Sequence, residues 1–315
     1  MTGPLSFSSG YTFEDQPRTW ENSLMPELPE AETIRKQLAP FLCRARVLSL
    51  RSGSYPKIFL SAIPDLSGWR FSALGRMGKV LLFFMNSPAG DPGILLTRLG
   101  MSGQWSLSGI RKNSAIHTES TGADSHTHLA ITLETPEGEM ILAYRDPRRF
   151  GRLEWQIDKS LSGILRTTGP DILEVQPGDF EKSLRASQRS IRTILLDQKV
   201  VSGIGNIYVS EILFESGIHP DRKGTRITGA EARRILESSA IVLKRAIDRG
   251  GSSIHSFKDA YGEEGGNQSQ LKVYGLDGSP CHSCKSPILK KEAGGRSSYF
   301  CPRCQSRKRT SPART

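Results

Sequence analysis

Four cysteines near the C-terminal end constrain this chain more than any other feature. Cys281-x-x-Cys284 and Cys301-x-x-Cys304 are two knuckles separated by sixteen residues. That spacing supplies four thiolates for tetrahedral zinc carried on a hairpin. With every position filled by protein, such an ion is structural rather than catalytic. Two disulfides are the alternative pairing, but no secretory leader opens the chain to place it in an oxidising compartment. The fifth cysteine, Cys43, is expected to be a small core residue.

Charge gathers in the same region. The 315 residues carry 43 Lys+Arg against 32 Asp+Glu, a net charge of +11. Residues 281–315 hold nine basic residues and one acidic. A basic region of this kind points to a polyanion, with nucleic acid the commonest partner, although a solvated basic tail gives the same composition. The longest clean apolar run, Val80 to Met85, is far short of the ~20 residues that span a bilayer, so no membrane partner is expected. The length suggests about two domains and a small appendage.

Periodicity divides the chain. Residues 1–24 lack helical or strand patterning and are read as a disordered extension or a mis-called start. In Met25-Pro-Glu-Leu-Pro-Glu30, Pro29 suits the first turn of a helix, and Glu30 and Glu32 suit its positive end. Ile34 and Leu38 give that helix an apolar face, and it is expected to end before Pro40. Short strands and Gly-rich turns follow from about 45 to 155, as in a β-sandwich or barrel. The turns include Gly75-Arg-Met-Gly78, which Lys79 ends, and Gly100-Met-Ser-Gly103. Beyond about 165 the pattern is helical, with a Thr228/Glu231 capping box and a stop at Gly250. Residues 251–270 are Gly-, Ser- and Asn-rich and are expected to be a mobile loop.

Several residues could carry chemistry. Were Met25 the start and then removed, Pro26 would carry a free secondary amine. An α-amino group titrates near ~7.7–8.0, so part of it is neutral and nucleophilic at pH 7. Glu27 and Glu30 would stand beside it to relay protons; the plain alternative is an ordinary helix start. Met101, on one tight turn, and Arg148 with Phe150, on another (Asp146-Pro-Arg-Arg-Phe-Gly151), could hold a gap in a base stack; Met101 and Phe150 could equally be core residues. In Gly203-Ile-Gly-Asn206, backbone N–H groups and the Asn206 amide could bind phosphate. Lys79 is a candidate cation for phosphate or substrate. Arg296, between the cysteine knuckles, could enter a DNA groove. His126 and His128 are expected to share one strand face opposite Leu129 and Ile131, exposed or contacting phosphate.

Together, Met25-Pro-Glu-Leu-Pro-Glu30, Leu99-Gly-Met-Ser-Gly103, Asp146-Pro-Arg-Arg-Phe-Gly151, Gly203-Ile-Gly-Asn-Ile-Tyr208, Gly217-Ile-His-Pro220 and the four-cysteine finger occur in the order found in bacterial formamidopyrimidine-DNA glycosylases. The chain resembles that family from Met25 to about Gln305. The resemblance implies a multidomain α+β protein. Its parts would be a catalytic β-sandwich at 25–160, a helical helix–two-turn–helix domain at 161–270, a zinc finger at 271–306 and a basic tail at 307–315. It implies a bifunctional glycosylase and lyase of base excision repair, a cytoplasmic monomer acting on double-stranded DNA that carries an oxidised purine, with one structural Zn2+. Residue by residue, Pro26 matches the nucleophile, Glu27 the general acid/base, Glu30 a further acid and Lys79 a lysine near the lesion phosphate. Met101, Arg148 and Phe150 match the gap-filling trio, Asn206 and Arg296 match phosphate contacts, and His126 is similar to a DNA-facing histidine. Cys281, Cys284, Cys301 and Cys304 match the zinc ligands. The loop Glu263-Glu-Gly-Gly-Asn267 lacks the Gly-Tyr-Phe stretch expected there. A pyrimidine-preferring enzyme of the endonuclease VIII type and a non-catalytic DNA-binding protein remain as rivals. Leu28 and the trio favour the purine group.

Overall fold

The structure is a computed structural model that describes residues 26–109, 124–254, 257–293 and 295–306. Helix α1 spans Leu28–Leu42 and opens on a capping box between Glu27 and Glu30. Ala31, Ile34, Leu38 and Leu42 recur at helical spacing and are fully buried. The helix does not stop before Pro40, which lies exposed within its last turn. A proline so near the end removes one terminal hydrogen bond, and the buried Leu42 holds the turn in place.

Eight strands follow: β1 Arg46–Ser52, β2 Arg70–Met77, β3 Val80–Asn86, β4 Pro92–Arg98, β5 Gln104–Gly109, β6 Thr127–Thr135, β7 Gly138–Arg145 and β8 Arg152–Gln156. They pair in the order β5-β7-β6-β1-β2-β3-β4-β8, antiparallel at every described pairing. β1 and β2 share a single register pair, Arg46 with Arg70, and the sheet folds over at that corner. Its two halves close as a sandwich. Phe83 of β3 meets Trp105 of β5 at 5.0 Å between ring centroids, and Trp105 meets Tyr144 of β7 at 5.2 Å. The apolar stripe of α1 completes this core. Gly75 is not part of a turn: it lies inside β2, and the hairpin turn is the pair Gly78-Lys79, with Gly78 at φ +58°.

The helical part comprises α2 Gly163–Arg166, α3 Pro177–Arg185, α4 Ile191–Leu196, α5 Asn206–Glu215 and α6 Gly229–Asp248. Gly217 at φ +67° follows the end of α5; as expected, Thr228 and Glu231 cap α6 and Gly250 at φ +76° follows its end. Their apolar faces form a second core that includes Ile194, Val209, Ile212, Ile235 and Leu243. Leu28, the first residue of α1, belongs to this second core, while Ala31 and Ile34 belong to the first. One helix therefore pins both. Strands β9 Leu289–Ala293 and β10 Arg296–Phe300 form the terminal hairpin, resting on a cluster of Phe214, Val273, Ile288, Cys281 and Cys301. No helix of the described residues is long and apolar enough to cross a membrane.

Segment 251–270, expected to be a mobile loop, is anchored at several of its described residues, although others such as Lys258, Glu263 and Glu264 are exposed. Ser252 bridges Gly266, Ala260 is buried in the sandwich core, and the Ala260 carbonyl accepts from Leu107 N–H at 3.3 Å. The Gln37 side chain grips Asp259 at 2.5 Å and Ala260 N–H at 2.9 Å. Few apolar side chains are involved, so hydrophobic patterning gives no sign of this order. Cys43, expected in the core, is exposed.

An ion pair ties the sandwich to the segment entering the helices. Arg76 donates to Glu32 of α1 at 3.1 Å, to the Gly78 carbonyl at 2.8 Å and to Asp171. Asp171 also accepts from Gly78 N–H at 2.8 Å. Removing one partner of a buried pair leaves the other poorly compensated. Asp171→Asn should therefore lower unfolding free energy by about 3 kcal/mol, read as a lower urea midpoint at unchanged m-value.

Candidate active site and nucleic-acid interface

The site forms where the two cores meet. Pro26 is buried immediately before α1. Glu27 follows with an extended backbone and turns its carboxylate across the junction to the start of α5. That carboxylate accepts from the N–H groups of Gly205 at 2.6 Å, Ile207 at 2.9 Å and Tyr208 at 3.4 Å. A carboxylate suits this end of a helix, where N–H groups lack partners and the dipole is positive. Leu28 N–H also bonds the Gly203 carbonyl at 3.0 Å.

This corrects the reading of Gly203-Ile-Gly205 as a phosphate cradle. The Gly205 N–H, with those of Ile207 and Tyr208 just beyond it, is already taken by Glu27, and the Gly203 N–H bonds Gln198 Oε1 at 3.0 Å. The glycines serve close approach instead: a Cβ on Gly205 would sit 2.2 Å from the Glu27 carboxyl carbon, and one on Gly203 2.6 Å from Leu28. Asn206 Oδ1 accepts from Arg192 at 2.6 Å, and Arg192 also reaches the Ser297 carbonyl of β10 at 3.1 Å, which ties Asn206 to the terminal hairpin.

Glu30 lies beneath Glu27. Its carboxylate accepts from Glu27 N–H at 2.8 Å, from the Tyr208 hydroxyl at 2.7 Å and from Ser252 N–H at 2.8 Å. Burial raises the pKa of both acids, more than their hydrogen bonds lower it. Glu27 is pushed up to about 7 by burial, against the opposing charge of Lys79 and with repulsion from Glu30. Lys79, on its two-residue turn, is lowered by burial, with Arg296 and Arg98 adding to the effect and the two glutamates opposing it. Two acids and a lysine with shifted proton affinities at one junction can exchange protons.

The cations around Lys79 were only partly legible in sequence. Arg296 is exposed at the start of β10. Arg98, at the end of β4, stands cross-strand from Arg152, and burial and that neighbour hold its guanidinium below its ordinary range. Arg98 was missed because it ends an apolar strand and carries no motif of its own. Tyr208 and Ser252 were missed as well, since each acts only through distant partners.

Met101, Arg148 and Phe150 form a second group. Ser102 Oγ bonds Asp146 at 2.5 Å and accepts from Arg148 N–H at 3.1 Å, which clamps the two turns together. The clamp needs glycine: a Cβ on Gly100 would lie 2.6 Å from Gly151 N, and one on Gly151 1.8 Å from the Tyr144 hydroxyl. Phe150 is 45% exposed and Met101 half-buried, so neither is a core plug. The Arg148 guanidinium rests 5.3 Å from the Phe150 ring centroid.

The histidines do not share a face. A β-bulge between Thr127 and Leu129 turns His128 inward, where it is 1% exposed and its Nε2 lies 3.0 Å from the Asp146 carbonyl. His126 stays half-buried beside the same turn. Its carbonyl accepts from Asp146 N–H at 2.9 Å, and its Nδ1 has no partner among the described residues.

Cys281, Cys284, Cys301 and Cys304 converge with all four sulfurs within 4.8 Å of one another. The Cys284–Cys301 and Cys281–Cys304 separations are 3.4 and 3.9 Å. The edge of a tetrahedron with 2.3 Å zinc–sulfur bonds is ~3.8 Å, so the quartet fits zinc, whereas a disulfide would need ~2.05 Å.

Comparison with known proteins agrees with this fold and with the four-cysteine cluster. The formamidopyrimidine-DNA glycosylase N-terminal domain matches residues 25–153 and the H2TH domain of the same glycosylase residues 168–258. The zinc finger found in FPG and IleRS matches residues 278–307. Formamidopyrimidine-DNA glycosylase of Streptococcus mutans is 33% identical over 289 residues, covering 89% of this chain and 99% of that protein. The Nitrosococcus oceani protein of the same name is 35% identical, covering 89% and 100%. Lactococcus lactis Fpg in complex with DNA containing an abasic site superposes with a TM-score of 0.76 at 30% identity, covering 90% of this chain and 100% of that one. MutM (FPG) from Thermus thermophilus gives 0.75 at 32%, covering 89% and 98%. With relatives of this identity matched over nearly their whole length, the chain belongs to the formamidopyrimidine-DNA glycosylase family.

Proposed function

We propose that this protein is a DNA glycosylase of base excision repair that removes oxidised purines and then cuts the strand as a lyase. The observation that carries the reading is the junction of Pro26, Glu27, Glu30 and Lys79. An amine there has two buried acids and a cation at hand, and the neighbouring surface is basic. Named relatives and solved complexes support the substrate class, among them a Lactococcus lactis FPG mutant with a Fapy-dG containing DNA.

The chemistry requires Pro26 to be the first residue, since an internal proline is an imide without a nucleophilic lone pair. The family match from residue 25 supports a reactive form that starts at Met25 and loses it. In that form the Pro26 nitrogen attacks C1′ of the damaged nucleotide and the bond from C1′ to the base breaks. Glu27, holding a proton near neutrality, gives it to the sugar ring oxygen as the ring opens. The resulting iminium acidifies the 2′ proton. Loss of that proton expels the 3′ phosphate, and a second elimination expels the 5′ phosphate. Lys79, Asn206 and Arg296 would hold phosphates, with His126 on the same DNA-facing surface. Met101, Arg148 and Phe150 would fill the space left by the extruded base. Zinc, roughly one ion per chain on the four cysteines, would fix the hairpin that carries Arg296. The protein would act as a cytoplasmic monomer on double-stranded DNA.

A second substrate class has one observation in its favour. A solved complex of Lactococcus lactis Fpg holds DNA with an oxidised pyrimidine. Parallel assays on 8-oxoguanine and thymine glycol duplexes would rank the two.

Borohydride trapping on an 8-oxoguanine:cytosine duplex tests the proposal. Protein beginning at Pro26 should give a covalent band that maps to Pro26. Pro26→Gly should bind the duplex yet trap less by on the order of a hundredfold or more. Full trapping by that variant would remove the assignment. Lesion DNA bound without any band would favour a DNA-binding protein. As an acid, Glu27 must be protonated, so trapping should decline as pH rises through about 7, and Glu27→Gln should lose this limb. Cys281→Ser should lower both zinc content and DNA affinity, measured by metal analysis and binding titration; unchanged stoichiometry would exclude the four-thiolate site.

A further inference from the structure

A chain of buried hydrogen bonds runs from segment 251–267 to Glu30. Tyr208 has one hydroxyl proton, and it donates to Glu30 Oε1 at 2.7 Å. Its 3.0 Å contact with Ser252 Oγ must therefore be accepted, so the Ser252 proton points at Tyr208. Ser252 Oγ in turn accepts from Asn267 Nδ2 at 2.9 Å, and an amide nitrogen can only donate. Every proton in the chain thus points toward the Glu30 carboxylate. Glu30, Tyr208, Ser252 and Asn267 are each 5% exposed or less. In such surroundings aligned hydrogen bonds polarise one another.

Asn267 lies in the loop Glu263-Glu-Gly-Gly-Asn267, which lacks the Gly-Tyr-Phe stretch that the family resemblance leads one to expect there. The same residue holds the root of its segment: Asn267 N–H bonds the Gly251 carbonyl at 3.0 Å, and Ser252 pairs with Gly266. Gly251 itself is pressed on Glu30, since a Cβ there would lie 2.9 Å from Oε1.

We propose that Asn267 is a positioning residue: acting through Ser252 and Tyr208, it fixes the direction of the hydrogen-bond chain that holds Glu30 and couples the 251–267 segment to the acids beside Pro26. The proposal rests on the glycosylase–lyase reading for its catalytic meaning, but the coupling itself is a property of the folded chain. The charged and titratable groups that bear on Glu30 are Glu27 of α1, Lys79 of the β2–β3 turn and Tyr208 of α5; Ser252 of the segment contributes its N–H. A donor chain aimed at Glu30 favours its ionised form against burial. Ionised Glu30 in turn raises the pKa of Glu27.

The test is the pH titration of the Glu27 and Glu30 carboxyl carbons in 13C-glutamate-labelled full-length protein, for wild type, Asn267→Leu and Asn267→Asp. Leucine removes the donor. Aspartate keeps the size but accepts, so Ser252 turns its proton away from Tyr208. Both should move the Glu30 midpoint up by about half a pH unit or more; in the leucine variant, which adds no charge, the Glu27 midpoint should move down. A melting curve screens each variant for folding, and the isosteric aspartate stands in if leucine fails to fold. Midpoints unchanged in the folded variants would overturn the proposal. The pH profile of borohydride trapping is read separately. Shifted midpoints with no trapping by protein beginning at Pro26 would refute the glycosylase–lyase reading and leave the coupling standing, whereas trapping by that protein with unmoved midpoints would do the reverse.

Discussion

The structure turns on one carboxylate. Glu27 starts α1, yet it satisfies the start of α5, with Gly205 N–H 178 residues further along the chain. Helix termini leave donors that must find partners when buried. Here the donors of one core are met by an acid that belongs to the helix of the other. Leu28 follows it into the second core while Ala31 and Ile34 stay in the first. The relative placement of sandwich and helices is therefore fixed at the same few atoms where the candidate chemistry lies.

This explains why the site is buried and polar at once. Two glutamates and a lysine in one desolvated junction would be unfavourable without dense hydrogen bonding. Glu27 and Glu30 each accept three of these hydrogen bonds, five of the six from backbone N–H groups and the sixth from the buried Tyr208 hydroxyl. Such donors hold their geometry without side-chain freedom. Burial still wins for both acids, which keeps at least one of them titrating near neutrality. The arrangement is a compromise between a well-satisfied junction and an acid that can still hold a proton.

Sequence made much of this legible, and its failures have physical causes. The capping box at Glu27–Glu30 is a local pattern, so the helix was readable; the α5 partner of Glu27 was not, because a carboxylate does not announce a contact across the chain. Gly203-Ile-Gly205 was readable as a turn, but its ligand is a protein side chain. His128 was misplaced because a one-residue β-bulge reverses the faces of a strand and leaves no compositional mark. Residues 251–270 looked loose because their order comes from hydrogen bonds to Gln37 and Glu30 rather than from apolar spacing. The cysteine quartet was the clearest signal, since metal geometry dictates its spacing. Residues 1–25, like the basic tail at 307–315, lie outside the described residues, and the expectations about them stand apart from the fold.

The occupied start of α5 has a bearing on anions in general. A free helix terminus attracts phosphate from solution, and a DNA-handling protein meets phosphate at every step. Here that seat is filled by an internal ligand. A mobile anion drawn to α5 would have to evict Glu27 from three N–H groups before it could bind. Buffer phosphate, free nucleotides and misplaced backbone phosphates are all competitors of this kind. The fold seats its own acid where a free helix terminus would otherwise collect anions.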